Sequence, residues 1–156
     1  MDRRSKIIVF FEDLEIRQEA VHYAAALAKR TNAELIFLLL LRYDSDPSEN
    51  PDSLRQKYRD VLRHHLLQMM KDDPPPMVEV RVGDPRSEFY KFMTAYSSFE
   101  AAVWGGNEYA VSSRAGRAAA HWLAQIENEL ECPVVVPRRR AGEAKKTNRR
   151  DKPEIG

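Results

Sequence analysis

The order of apolar runs along the chain predicts an α/β fold: a five-stranded parallel sheet with helices on both faces. Two observations carry that expectation. Five short β-prone runs alternate with four stretches of helical periodicity, and such alternation requires right-handed helical crossovers between parallel strands. Two of the runs, Ile7 to Phe11 and Leu35 to Leu41, are continuously apolar, the mark of strands buried on both faces.

Each element has its own signal. Ile7-Ile8-Val9-Phe10-Phe11 is the first strand and ends in the acidic pair Glu12-Asp13. Ile16, Ala20, Tyr23, Ala24, Leu27 and Ala28 recur at helical spacing, with Asp13 as the expected N-cap and Thr31-Asn32 as the stop. Leu35 to Leu41 is the second strand. Residues 43–52, with Pro47 and Pro51, read as a loop. Ser53 and Gln56 resemble a capping box, and Leu54, Tyr58, Val61, Leu62, His65 and Met69 mark the apolar face of a second helix. Pro74-Pro75-Pro76 ends it. Met77 to Val82 is a third strand, in which Val78, Val80 and Val82 alternate. Gly83 makes the turn, Asp84 caps and Pro85 stands at the first helical position. Phe89, Phe92, Met93 and Tyr96 form the stripe of a third helix. Ala101 to Trp104 is the fourth strand, closed by Gly105-Gly106. Ala119, Trp122, Leu123, Ile126 and Leu130 mark a fourth helix, and Pro133 to Val136 a fifth strand.

The 156 residues suit one domain over residues 1–137, followed by a basic tail over 138–156. The formal net charge of +1 hides a division between the two. The tail holds eight basic and three acidic residues, with Ile155 as its single large apolar side chain, whereas the body carries −4. A packed element is not expected in the tail, and an acidic body argues against a dedicated nucleic-acid-binding domain. Cys132 is the single cysteine, which excludes an internal disulfide and a cysteine-based metal cluster. The longest apolar run, seven residues, is too short to span a bilayer, and Ile7 to Phe11 is too short for a signal peptide. A cytoplasmic location is expected.

The order of elements, with Lys6-Ile7-Ile8-Val9 and the acid ending the first strand, Glu34-Leu35-Ile36-Phe37-Leu38, Gly83-Asp84-Pro85 and Cys132-Pro133-Val134-Val135-Val136, resembles the universal stress protein family over residues 5–138. The resemblance implies the Rossmann-like fold of the adenine nucleotide alpha hydrolases, with strand order 3-2-1-4-5. It also implies a homodimer paired through the last strand, Pro133, Val134, Val135 and Val136, an edge strand being a natural pairing template. In an open sheet of that order, ligands bind beyond the carboxyl ends of the strands where the order reverses. The residues expected there are Phe11, Glu12, Asp13, Leu41, Arg42, Gly83, Gly105 and Gly106.

Family members that bind ATP carry G-x-x-G, nine residues, then G-[ST] after the fourth strand, small residues that let backbone N–H groups reach phosphates. Gly106 and Gly116 have the nine-residue spacing, but Val103 stands at the first glycine position and Arg117 at the Ser/Thr position. Starting from Gly105 puts Glu108 at the second glycine, where a carboxylate repels phosphate. Neither register completes the motif. The family's Asp-Gly-Ser after the first strand is here Glu12-Asp13-Leu14. Arg114 and Arg117 remain candidates for attracting an anion. The candidate ligand set is therefore Glu12, Asp13, Arg42, Gly83, Gly105, Gly106, Gly116 and Arg117, with no catalytic and no metal-binding residues assigned.

Other features have simpler readings. Glu12 and Asp13 suit a divalent cation accompanying a nucleotide, but a solvated Glu12 and a capping Asp13 account for both. Receiver domains also place acids after the first strand, yet Asp84 is better explained as a cap, and Gly105-Gly106 stands where their lysine would follow the fourth strand. His64 and His65 point about 100° apart on a helix, a poor arrangement for one metal. His22 and His121 have no visible catalytic partner. Cys132, before a buried strand, reads as a core residue, as does Trp122, and Trp104 either packs in the core or borders the crevice. Arg138-Arg139-Arg140, Lys145-Lys146 and Arg149-Arg150 suit phosphates or anionic lipid, without aromatic residues for base stacking. A solvated, disordered terminus is the preferred reading of these clusters.

The expected function is a cytoplasmic stress-response or regulatory protein, a dimeric binding module without efficient catalysis and without a required cofactor. One alternative is an ATP-binding protein with slow hydrolysis, using Mg²⁺ with Glu12 or Asp13. Another is an adaptor that binds polyanions or partners through its tail.

Overall fold

β1 (Lys6–Phe11) is the central strand of a five-stranded sheet. It pairs on one side with β2 (Glu34–Leu41) and on the other with β4 (Phe99–Trp104). β3 (Met77–Val82) lies outside β2, and β5 (Val134–Val135) outside β4. All four pairings are parallel and the order is β3-β2-β1-β4-β5. The structure, a computed structural model, describes residues 5–42, 50–71, 76–96, 98–107 and 122–138.

The two continuously apolar runs are in the middle because only central strands of such a sheet have both faces covered. Side chains alternate across each strand, and here both sets are buried. Ile7, Val9 and Phe11 of β1, with Phe37 and Leu39 of β2, face one core, and Ile8, Phe10, Ile36, Leu38 and Leu40 face the other. The first core is closed by α1 (Gln18–Thr31) through Ala20, Val21, Ala24 and Ala28, and by α2 (Pro51–Met69) through Leu62 and Leu66. The second is closed by α3 (Pro85–Ala95) through Phe89 and Phe92, and by α4 (Trp122–Ile126) through Leu123 and Ile126. Phe10 anchors this aromatic side, its ring 4.6 Å from Phe89, 5.4 Å from Trp104 and 6.0 Å from Trp122.

Where local chemistry is simple, expectation and structure agree. Asp84 Oδ2 accepts the Ser87 amide at 3.0 Å, with Pro85 at the first helical position. Cys132 is buried against the aromatic core, and Trp104, 2% exposed, is a core residue. The helix starts differ. α1 begins at Gln18 with Arg17 as an N-cap that makes no side-chain cap, whereas Asp13 accepts the Glu15 amide in a turn of its own. α2 begins at Pro51, capped by Asn50 accepting the Asp52 amide at 2.7 Å, so the Ser53–Gln56 capping box does not form. Its buried positions are Leu62 and Leu66, while Val61 and His65 are exposed. The last strand has two ladder residues instead of four, Val134 and Val135. Ala119, His121 and residues 139–156 lie outside the described residues, as does most of the expected basic tail.

Candidate functional site

The strand order reverses between β1 and β4, so their carboxyl ends define the crevice where an open parallel sheet receives a ligand. Glu12 follows β1 and Gly105-Gly106 follow β4, and the two exits touch. The Gly105 amide donates to Phe10 O at 2.9 Å. A Cβ on Gly105 would stand 3.0 Å from Val9 Cγ1, and one on Gly106 would stand 2.7 Å from the Trp104 ring. Both glycines are therefore required by close packing against β1 and Trp104, independently of any phosphate.

Arg17, at the start of α1, sends its guanidinium across the β4 exit. Its Nε donates to Gly106 O, its Nη2 to Trp104 O at 3.0 Å and its Nη1 to Pro137 O at 2.5 Å. The Arg17 backbone amide donates to Gly105 O at 3.0 Å. One residue thus engages four consecutive or facing carbonyls from the ends of two strands. Its side chain is 17% exposed, and Glu19 Oε1 lies 4.0 Å from Nη1. A planar fork of fixed donors suits this task and a lysine ammonium does not.

Glu12 is also engaged. Its carboxylate accepts from the indole Nε1 of Trp122 on α4, and the residue is half-buried. The expectation of a solvated Glu12 is therefore corrected: an indole N–H, a donor with one direction, holds the acid against the aromatic core. Trp104 Nε1 donates to Asn107 O at 2.9 Å, ordering the chain just past the glycines.

The remaining expected residues occupy the other half of the same sheet edge. Gly83, after β3, donates its amide to Leu41 O at 2.8 Å and has φ +148°, a conformation that side chains rarely adopt. Glu88 fills the space where its Cβ would point, at 3.1 Å. Arg42, after β2, is exposed. Asp84 is held below its ordinary value of 3.8, first by the Ser87 amide and hydroxyl, with smaller help from Arg42 and Arg86. Asp13 is exposed. The structure thus brings Glu12, Gly105 and Gly106 together and leaves Arg42 and Gly83 beside the β2–β3 exit. Gly116 and Arg117, with Arg114 and Glu108, lie outside the described residues. Among the described residues no three His, Cys, Asp or Glu side chains converge as a metal site. No helix among them is long and apolar enough to cross a membrane.

Arg17 was absent from the expected set because nothing local marks it. It is one polar residue in a stretch of them, and its partners lie 87 to 120 residues away in sequence.

No protein-family model matches the chain, and no curated protein matches it in sequence. Solved structures do match in fold. The universal stress protein UspA from Lactobacillus plantarum aligns with TM-score 0.59 and 16% identity, over 88% of this chain and 100% of that one. A universal stress protein in complex with cAMP aligns with TM-score 0.59 and 16% identity, over 88% and 99%. A universal stress protein from Archaeoglobus fulgidus gives 0.55 and 11%, over 86% and 93%. The chain has the five-stranded 3-2-1-4-5 fold of these proteins, as the resemblance in its sequence implies.

Proposed function

We propose that this protein is a stress-response or regulatory binding module of the universal stress type, acting without efficient catalysis from its strand-end crevice. The observation that carries this reading is the Arg17 guanidinium seated on the carbonyls of Trp104, Gly106 and Pro137. Together with the Glu12–Trp122 contact, it gives the crevice groups committed to holding and gating. Phosphoryl transfer needs preorganised donors and a metal around the reacting phosphate. Among the described residues, the crevice presents carbonyl oxygens already held by Arg17 and a carboxylate already bonded to an indole. A homodimer through Pro133, Val134, Val135 and Val136 belongs to the same reading, because β5 is an edge strand.

A second reading, nucleotide binding with slow ATP hydrolysis, is favoured by the structural neighbour that holds cAMP and by the acid at the β1 exit. Both readings place a small ligand at one crevice and differ in turnover. Thermal shifts with AMP, cAMP and Mg-ATP, and mass spectrometry of any nucleotide carried through purification, measure the binding. A steady-state phosphate-release assay measures the chemistry. The first reading expects a thermal shift with at least one nucleotide and phosphate release no faster than buffer. Hydrolysis that is abolished by Glu12→Gln establishes the second reading and overturns the first.

A further inference from the structure

The Arg17 seat joins two places that are distant in sequence. One is the β4 exit at Trp104 and Gly106, and the other is Pro137, two residues past the end of β5. A guanidinium that closes the crevice therefore also holds the exit of the edge strand. The β5 ladder is short, with Ala102 opposite Val134, Val103 opposite Val135 and the Ala102 amide bonded to Pro133 O at 2.9 Å, and Val134, Val135 and Val136 add packing against the two cores.

We propose that Arg17 is a ligand-responsive latch: it closes the crevice and ties the ends of β4 and β5 together, and a phosphate-bearing ligand releases both by taking the guanidinium. The inference rests on the reading that the crevice receives a ligand. Its chemistry is a competition between acceptors. The carbonyl oxygens are neutral partners and the Glu19 carboxylate stands at 4.0 Å, whereas a phosphate offers anionic oxygens with the spacing that a guanidinium binds bidentately, in shorter and stronger hydrogen bonds. The location favours the exchange as well, because Arg17 stands at the N-terminal end of α1, where no side chain caps the helix and negative charge is favoured. A single cation matches one phosphate group, so the latch needs no phosphate loop to respond. Once Arg17 turns to the ligand, Pro137 O loses its donor and β5 keeps only its short ladder and the core packing of Val134, Val135 and Val136.

The test is hydrogen exchange across residues 130–138, read by mass spectrometry on the full chain with AMP, Mg-ATP or inorganic phosphate. Thermal shift reports binding in parallel, and wild type is compared with Arg17→Met and Arg17→Lys. Methionine keeps an unbranched stem but no donors, and lysine keeps the charge without the fork. Far-UV circular dichroism verifies that each variant is folded.

In wild type, a bound ligand should speed exchange at β5 by about tenfold, the effect of losing one hydrogen bond to a charged group. Arg17→Met should exchange at that faster rate without ligand and no longer respond to one. Arg17→Lys should fall between. A full response to inorganic phosphate alone identifies phosphate as the sufficient ligand, and a response to AMP or Mg-ATP only identifies a nucleotide. The latch is overturned if a ligand shifts the melting of wild type without changing β5 exchange, an outcome that leaves the crevice reading intact. It is equally overturned if Arg17→Met exchanges at the rate of unliganded wild type. Failure of all three probes to bind either wild type or Arg17→Met removes the ligand reading and the latch together.

Discussion

Asp84 shows how one side chain serves both fold and electrostatics. It ends the β3 turn and caps α3, accepting the Ser87 amide while Pro85 supplies a first helical residue with no N–H to satisfy. Hydrogen bonds to the charged carboxylate favour its ionised form, so its pKa lies below 3.8 in the folded protein. The unfolded chain then binds the proton more tightly than the folded one. The stabilisation is complete above the unfolded value and is lost as pH falls through the depressed folded value. Urea denaturation should therefore show wild type more stable than Asp84→Ala near pH 6, with the difference shrinking as pH falls below 3.8. A difference independent of pH would assign the effect to the backbone turn instead of the charge. Burial acts oppositely at Cys132, where desolvation pushes the thiol above its ordinary value and keeps it in the protonated, unreactive form.

At the scale of elements, α2 illustrates why periodicity locates a helix more readily than it orients one. Its 19 residues present apolar side chains on more than one face, and the structure selects Leu62 and Leu66 as the fully buried anchors. Val61 and Leu67 remain 45% and 44% exposed. Truncating the two neighbours Leu66 and Leu67 should separate the roles. Leu66→Ala should cost about 2–5 kcal/mol through lost burial and a cavity, and Leu67→Ala should stay within about 0.5 kcal/mol, both read from urea midpoints. Comparable losses would mean that α2 packs through a different face. Strands and the α3 start were legible because one local cause decides each: a continuous apolar run for β1 and β2, Gly-Asp-Pro for the turn into α3. The starts of α1 and α2 were not. Asp13 and Ser53 have capping chemistry, but Asn50-Pro51 competes better for α2, and the α1 entry is governed by Arg17 reaching to β4 and β5. The candidate site divides the same way. Glu12, Gly105 and Gly106 could be placed from their positions at strand ends, whereas a guanidinium clamp between three distant carbonyls leaves no local pattern.

At the scale of the whole molecule, β5 is one of the two edge strands of the sheet, and the geometry of its ladder says how to test whether a second copy pairs there. In a parallel pair, a residue whose neighbour's amide and carbonyl face the partner strand turns its own polar groups the other way. Pro133 O accepts from Ala102 N, so the Val134 amide is directed away from β4, the side on which a strand from a second copy would pair. Wild type should then run in light scattering at twice the 18.0 kDa chain mass. Val134 is half-buried and packs against the aromatic core, so a charge placed there would disturb packing as well as pairing. Proline removes the donor, and alanine loses the same side chain while keeping the N–H. Val134→Ala should therefore remain dimeric with some loss of stability, and Val134→Pro should be a folded monomer. A monomeric wild type, or a Val134→Pro protein that stays dimeric, would exclude pairing through β5. Exchange at the β5 amides ties this test to Arg17, because a latch that frees Pro137 loosens the same strand that would carry the dimer.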